Sequence, residues 1–393
     1  MVDTGVDFAG MHFPNPFMLA SAPPARNADM IKRAFEAGWG GAVTKTITLD
    51  PPIDLQPRLH PYRVNGRNMG MENIELISPM SLDEWTIQLA NIKSIWPGRP
   101  LWASIMNPPE KNLWQRLAAA IQETGVDALE LNVSCPHGMP DRGMGSFIGQ
   151  NAGLTGEVVS WVKQVSRIPV VVKLTPNVTD IACVAQSCKN SGADALCAIN
   201  TVSGLVGVDL DTLTPMPSVG GVSTYGGYSG PAVKPIALRC ISQIAKATGL
   251  PVSGLGGVAS WEDAAELMAV GAGTVQVGTA VMWQGFGIID SLNGGLRDYL
   301  VRKKFAGTEM LIGAALDKIV EFSRLPTDHR MHAIVDDTCN GCRECITSCN
   351  DSGFQAISVA QGGSAQVDPD KCDGCGLCVM VCSEESISMV NRQ

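Results

Sequence analysis

Between Phe8 and Phe305 the chain repeats one pattern: a short apolar, β-branched run followed by a longer amphipathic stretch. The runs are residues 16–22, 41–49, 101–106, 128–134, 169–175, 195–201, 251–256 and 274–280. The intervening stretches, among them NADMIKRAFEAG, NLWQRLAAAIQETG, TDIACVAQSCKNSG and SWEDAAELMAVGA, carry apolar residues at i, i+3, i+4 and stop at Gly or Gly-Ala. Eight strands with eight helices in this length predict an α/β fold of the closed (β/α)8 type. An open doubly wound sheet is the competitor. That fold carries a Gly-rich fingerprint after its first strand, and LASAPPARN at that place is not one.

A closed barrel of this kind carries its chemistry at the C-terminal ends of the strands. Those ends hold Ser21, Lys45, Asn132, Ser134, Cys135, Lys173, Asn200, Thr201, Gly256, Gly257, Gly278 and Thr279. Polar residues closing otherwise apolar runs need a reason to be there. The glycines after the seventh and eighth strands suit a phosphate, because bare amides can face the anion there. No acidic ribose hook follows, so a mononucleotide fits better than a dinucleotide. A lysine inside a barrel is costly unless it meets an anion or an electron-rich ring. An outward-facing lysine on a misread strand is the bland reading of Lys45 or Lys173 taken singly. A flavin accounts for both at once.

Of the 13 cysteines, eight fall after Asp337 as two runs, CNGCRECITSC and CDGCGLCVMVC. Both read C-x2-C-x2-C-x3-C, the spacing of a two-cluster ferredoxin in which the fourth cysteine of each run ligates the other cluster. The expected sets are Cys339, Cys342, Cys345 and Cys382 for one [4Fe-4S] cluster, and Cys372, Cys375, Cys378 and Cys349 for the other. A pair of zinc knuckles is the alternative, but zinc takes its four ligands as two separated pairs. Asn350 and Ser383 stand where a proline often follows the fourth cysteine.

The division expected is a barrel over 1–307, a linker helix over 308–331 ended by Pro326, and a ferredoxin-like α+β domain over 332–393. A net charge of −9 without a basic run speaks against nucleic acid as the partner. No basic leader and no 18-residue apolar run precede or interrupt this pattern, which predicts a cytoplasmic protein without membrane contact. The thiols are then reduced or ligated rather than paired.

The segments NVSCPHGMPDRGMG, KLTPNVTDI, INTVSG, TYGGYSG and NIELIS resemble the pyrimidine-reducing half of the dihydropyrimidine dehydrogenase family, and the cysteine-rich tail resembles that family's C-terminal ferredoxin domain. Nearly the whole chain is covered. The resemblance implies FMN held by Ala20, Ser21, Lys45, Thr46, Asn132, Lys173, Asn200, Gly230, Gly256, Gly257, Gly278 and Thr279. It implies a uracil or thymine contacted by Asn73, Glu75, Asn132, Ser134, Asn200 and Thr201. Cys135 would be the general acid that protonates C5 while hydride from FMN N5 enters C6. His137 would tune the thiol or relay protons, unless it is an ordinary loop histidine, and Arg142 would latch the glycine-rich loop. An inert core thiol or a nucleophile is the alternative for Cys135. The remaining cysteines, Cys183, Cys188, Cys197 and Cys240, read as small core residues.

The chain carries no NAD(P) fingerprint, so the resemblance implies an FAD- and NAD(P)H-binding iron–sulfur partner in a hetero-oligomer built on a homodimer. A dihydroorotate-type oxidoreductase and a non-catalytic electron carrier are the competing functions.

Overall fold

The computed structural model describes residues 2–392. They form two compact units, Met1–Lys318 and Ile319–Gln393.

In the first unit eight parallel strands close into a barrel: β1 (Phe17–Leu19), β2 (Gly41–Val43), β3 (Leu101–Ile105), β4 (Ala128–Asn132), β5 (Val170–Lys173), β6 (Ala195–Ala198), β7 (Val252–Leu255) and β8 (Ala272–Val277). Each pairs with its sequence neighbours, and β8 returns to β1 through Val275↔Phe17. The helices following the strands are α1 (Ala28–Glu36), α2 (Leu82–Ile95), α3 (Lys111–Gln122), α4 (Ala152–Lys163), α5 (Ile181–Asn190), α6 (Lys234–Thr248), α7 (Trp261–Ala269) and α8 (Ile288–Lys303). All eight expected strands belong to the barrel. The strands stop earlier than the apolar runs do, because their last residues turn into loops.

Local chemistry sets the helix ends. Asn27 and Asp180 accept backbone N–H groups at the starts of α1 and α5. Ser81 with Glu84 and Ser260 with Asp263 form reciprocal capping boxes on α2 and α7. Gly249 ends α6 at φ +64°, a left-handed turn that a side chain would strain. The inward faces of these helices bury Trp85, Leu89, Trp114, Leu117 and Ile241 completely, and each such side chain is worth about 1.5–3 kcal/mol of transfer free energy.

The barrel is closed at its N-terminal end. A hairpin of Val6–Phe8 and Met11–Phe13 plugs it, with Phe8 5.5 Å and Phe13 6.1 Å from the Trp102 ring centroid. Met18, Val43, Ala128, Val171 and Ala195 complete this floor. The opposite end carries two insertions, Leu59–Asn73 after β2 and Val202–Ser229 after β6. Their strands join in one antiparallel sheet, ordered 202–204, 226–229, 67–73, 59–64.

In the second unit Met331–Val335 pairs with Ile387–Asn391 and Ile357–Val359 with Ala365–Val367, all antiparallel. Two short helices, α9 (Glu344–Asp351) and α10 (Leu377–Val381), follow the two cysteine loops. Ala333, Ile357, Ala365 and Ile387 form a small core with Cys345 and Cys378.

The linker helix expected over 308–331 does not form. Three single 3-10 turns stand there, at Thr308–Met310, Leu316–Lys318 and Phe322–Arg324. Gly313 takes φ +75°. The amides of Gly313 and Ala315 bond to the carbonyls of Met268 and Ala269 at the end of α7 rather than to their own segment. Further on, Phe322 and Leu325 are exposed at 89% and 49%, so a helix across that later part would have little face to bury. No helix among the described residues is long and apolar enough to cross a membrane.

Candidate active site and cluster ligands

The C-terminal ends of the strands and the inserted sheet line a cleft of ≈ 1150 Å³, a volume that includes the solvent at its open mouth. The structure brings nearly every residue expected at the site into its wall. Ala20, Ser21, Lys45, Thr46, Asn132, Cys135 and Lys173 come from β1, β2, β4 and β5 or the turns just after them; His137, Asn200, Thr201 and Gly230 come from the loops beyond. Gly256, Gly257, Gly278 and Thr279 follow β7 and β8, and Asn73 and Glu75 come from the end of the hairpin insertion. Ser134 is the exception: it is fully buried behind the wall. Its Oγ donates to Asn132 Oδ1 at 3.1 Å and accepts from Asn200 Nδ2 at 2.8 Å, so it orients two carboxamides rather than meeting a ligand.

Thr46 Oγ1 ties four strand ends together. It contacts Asn132 Nδ2 at 2.8 Å, Ser104 Oγ at 2.9 Å and Ser21 Oγ at 3.2 Å. Asn200 Nδ2 donates to Asn132 Oδ1 at 3.3 Å as well as to Ser134 Oγ, so these bonds fix both carboxamides and leave one free N–H, on Asn132, for a carbonyl acceptor. Asn73 Oδ1 accepts the Glu75 amide, which leaves its Nδ2 to donate.

Two buried lysines meet the cavity, and each has a carboxylate. Lys45 Nζ lies 2.7 Å from Glu75 Oε1, which also takes Arg58 Nε at 3.2 Å. Burial pushes the Lys45 ammonium below its usual range, and Glu75 opposes that push. Lys173 Nζ lies 3.7 Å from Glu130 Oε1, with both side chains buried. That distance is too long for a hydrogen bond, so Lys173 keeps donors for a ligand. Glycines close the far wall. A Cβ on Gly257 would stand 2.6 Å from the Lys234 amide nitrogen, and φ there is +83°. Next to it the helix beginning at Thr279 presents first-turn N–H groups without intrahelical partners. Bare amides on one side, an ammonium with free donors on the other, and room for a flat ring between them fit FMN.

The sequence following β4 builds the thiol. Gly145 takes φ +60°, and a Cβ on it would meet the Cys135 carbonyl oxygen at 2.6 Å. The Ser146 amide donates to that same carbonyl at 2.9 Å. The loop so folded packs Met139 and Met144, with Ile77 and Met106, around the sulfur. Burial in this apolar setting raises the Cys135 pKa to about 11, against smaller lowering from the His137 backbone, Lys173 and Lys45. The thiol therefore holds its proton at neutral pH. His137 Nε2 donates to the Glu75 carbonyl at 2.9 Å, tying the Cys135 loop to the loop bearing Asn73. Burial lowers the His137 pKa and keeps the imidazole neutral. Arg142 lies exposed in a 3-10 turn.

In the second unit Cys339, Cys342, Cys345 and Cys382 line one small cavity, and Cys349, Cys372, Cys375 and Cys378 line another. Each set mixes the two sequence runs in the way their spacing suggests. Gly341 and Gly374 hold equivalent left-handed positions at φ +72° and +79°, where a Cβ would strike a backbone oxygen at 2.7 Å or 2.6 Å. Backbone amides point at sulfur, Ala356 N to Cys349 Sγ at 3.3 Å and Ala365 N to Cys339 Sγ at 3.5 Å. Among the described residues no three such side chains converge as ligands of a single metal ion would. Thiolates spread around a cavity suit a cluster.

Several residues of the site were not singled out from the sequence. Tyr228 and Ser229 reach the wall on the second insertion, and Gln276 and Glu130 lie at or just beneath the cavity floor. Glu130 did carry a signal, a charge in the middle of the apolar run ALELNVS, the same signal that marked both lysines.

Comparison with known proteins agrees with this architecture. A family model for dihydroorotate dehydrogenase matches residues 4–300, and one for a 4Fe-4S dicluster domain matches residues 333–389. The NAD-dependent dihydropyrimidine dehydrogenase subunit PreA of Escherichia coli (strain K12) is 39% identical over 364 residues, 91% of this chain and 88% of the relative. The chloroplastic dihydropyrimidine dehydrogenase (NADP(+)) of Arabidopsis thaliana is 40% identical, over 80% of this chain and 77% of its own. The catalytic subunit of dihydroorotate dehydrogenase B (NAD(+)) from Pyrococcus abyssi (strain GE5 / Orsay) is 36% identical over 79% of this chain and 98% of its own. The last match is no longer than the barrel unit, whereas the PreA match must extend into the cysteine-rich unit. The chain belongs to the FMN-binding dihydroorotate dehydrogenase family, among the dihydropyrimidine dehydrogenases that join this barrel to a dicluster domain.

Proposed function

We propose that this chain is the pyrimidine-handling subunit of a dihydropyrimidine dehydrogenase, interconverting uracil or thymine with the 5,6-dihydro form. The observation that carries the reading is a proton-bearing thiol, Cys135, on the wall of a cavity that also holds two oriented carboxamides and two lysines. Saturating C5=C6 needs a proton at C5 and a hydride at C6, and such a thiol is the proton source.

When bound, FMN supplies hydride from N5 to C6 and exchanges single electrons with the iron–sulfur clusters. The chain's own groups do the rest. Lys173 and the amides after β7 and β8 hold the ring system and the phosphate. Asn73, Asn132, Asn200 and Thr201 hydrogen-bond the pyrimidine carbonyl and N–H groups, with Glu75 fixing Lys45 and Asn73 from behind. Cys135 Sγ gives its proton to C5. The thiolate left behind is stabilised by Lys45 and Lys173, whose charges already favour it, and it is reprotonated from solvent before the next turnover. His137, neutral and tied to Glu75, holds the thiol loop against the substrate loop. Met139 and Met144 pack beside the sulfur in the apolar setting that keeps it protonated. The reverse direction uses the same atoms, with the thiolate as base.

The cluster ligands are assigned as Cys339, Cys342, Cys345 and Cys382 for one cluster and Cys349, Cys372, Cys375 and Cys378 for the other. Supply of electrons falls to a separate FAD- and NAD(P)H-binding iron–sulfur subunit, in a hetero-oligomer on a homodimer of this chain, within a reducing cytoplasm that suits thirteen reduced or ligated thiols.

The test is anaerobic. The purified chain, its flavin reduced chemically, is mixed with uracil, thymine or orotate, and separately with NADH or NADPH plus uracil. Reoxidation by uracil or thymine, and no turnover with either nicotinamide until the partner is added, is the expected result. Preferential reoxidation by orotate would replace this reading with the dihydroorotate one.

A further inference from the structure

Beneath the cavity the barrel interior is not simply hydrocarbon. Glu130 on β4 is completely buried, and its Oε1 has no hydrogen-bond partner. Its Oε2 takes a long contact of 3.5 Å from Gln276 Nε2, which also donates to Ser253 Oγ and Cys197 Sγ, both at 3.2 Å. Gln276 Oε1 has no partner either. An ionised carboxylate with so little hydrogen bonding is expensive to bury unless a cation faces it. The facing cation is Lys173, at 3.7 Å. The pair is loose, so it is a poor stabilising device, and its place directly below the cavity asks for another explanation.

We propose that Glu130 is a positioning residue for the redox chemistry: from below the cavity floor it offsets the Lys173 charge, so that a flavin above is held without being trapped in its reduced state. This deepens the flavin reading and rests on it. Reduced isoalloxazine is an anion at neutral pH, with the charge near N1. A lysine beside that edge with no counter-charge stabilises the anion and makes it a weaker hydride donor. Glu130 is buried and unscreened, so its charge is felt through a low-dielectric path. Lys45 also faces a carboxylate, but that pair is a direct contact at 2.7 Å and its Glu75 is shared with Arg58 at 3.2 Å. Lys173 keeps its donors for a ligand while Glu130 offsets its charge from below.

The experiment measures the midpoint potential of bound FMN in the full-length protein by anaerobic spectroelectrochemical titration, following the clusters separately by EPR. Glu130→Gln keeps the volume and an acceptor for Gln276. It is expected to move the flavin potential in the positive direction, since the reduced anion gains a less opposed cation. Lys173→Gln is expected to move it in the negative direction. The double variant is expected to return towards the unaltered protein, with FMN still bound. A Glu130→Gln protein that loses thermal stability but leaves the potential in place, or moves it in the negative direction, overturns the assignment. FMN content and uracil-dependent reoxidation of the unaltered chain report separately on the flavin reading. A chain without FMN overturns both, whereas a flavin-loaded chain with an unmoved potential overturns only the role of Glu130.

Discussion

Burial of Cys135 makes a directional prediction about pH. With its pKa raised to about 11 by desolvation, the thiol carries its proton throughout the range from about pH 6 to pH 9. Below the pKa of such an acid the protonated form dominates, so reduction of the pyrimidine, which consumes that proton, should be independent of pH there. Oxidation of the dihydropyrimidine needs the thiolate. Four units below the pKa, near pH 7, about one molecule in ten thousand has it, and the fraction rises tenfold per unit of pH. The oxidative rate should therefore climb with slope close to one up to about pH 10. Replacing Cys135 by alanine removes the proton donor altogether, and loss of a general acid is worth about 10²–10⁴ in rate, or about 3–5 kcal/mol of barrier. Because the thiol packs among Ile77, Met106, Met139 and Met144, retained FMN and an unchanged thermal midpoint in Cys135→Ala are what separate loss of the proton donor from a packing defect. The assay is single-turnover flavin reoxidation by uracil, and flavin reduction by dihydrouracil, across pH at fixed ionic strength. An oxidative rate flat from pH 6 to 9, or near-normal reduction by Cys135→Ala with FMN retained, would refute the proton-donor argument.

Two further outcomes check the fold and the clusters. Cys349→Ser should damage the cluster held with Cys372, Cys375 and Cys378, not the one held with its own sequence neighbours. Iron content should fall while the EPR signal of the other cluster survives, and loss of the wrong signal would overturn the ligand exchange read from the two cavities. Trp102→Ala empties the aromatic floor beneath the barrel, where Phe8 and Phe13 pack on the indole. It should cost about 3–5 kcal/mol in chemical denaturation while leaving the wall of the cavity intact, and a change below about 1 kcal/mol would show that the plug is not part of the cooperative core.

The barrel was legible because each strand is buried on both faces and reads as an unbroken apolar run, and because the capping residues at Asn27, Ser81, Asp180 and Ser260 punctuate the helices. What lay outside that code was read less well. The inserted sheet has half-exposed strands containing Gly226, Gly227 and Pro61, with no clean alternation, and its partners lie far apart in sequence. The linker helix expected over 308–331 had only Pro326 to mark its end, and a segment forms a stable helix only where a surface accepts its apolar face. The amides of Gly313 and Ala315 bond to carbonyls at the end of α7 instead.

The site divides along a different line. Residues that break a local pattern, such as a lysine in a strand or a cysteine between strand and glycine loop, announce themselves in one dimension. Residues that matter through a partner do not. Ser134 stands next to Cys135 in sequence and resembles a ligand contact, but its hydroxyl spends both hydrogen bonds on Asn132 and Asn200. Glu130 breaks its apolar run, but its partner, like that of Glu75, is set only when folding places the two against Lys173 and Lys45. The lysines alone describe a strongly cationic pocket suited to any anion. With Glu130 against Lys173 and Glu75 shared between Lys45 and Arg58, that charge is partly offset, and a redox ring that must give up its hydride on every turnover is better served by the second pocket than by the first.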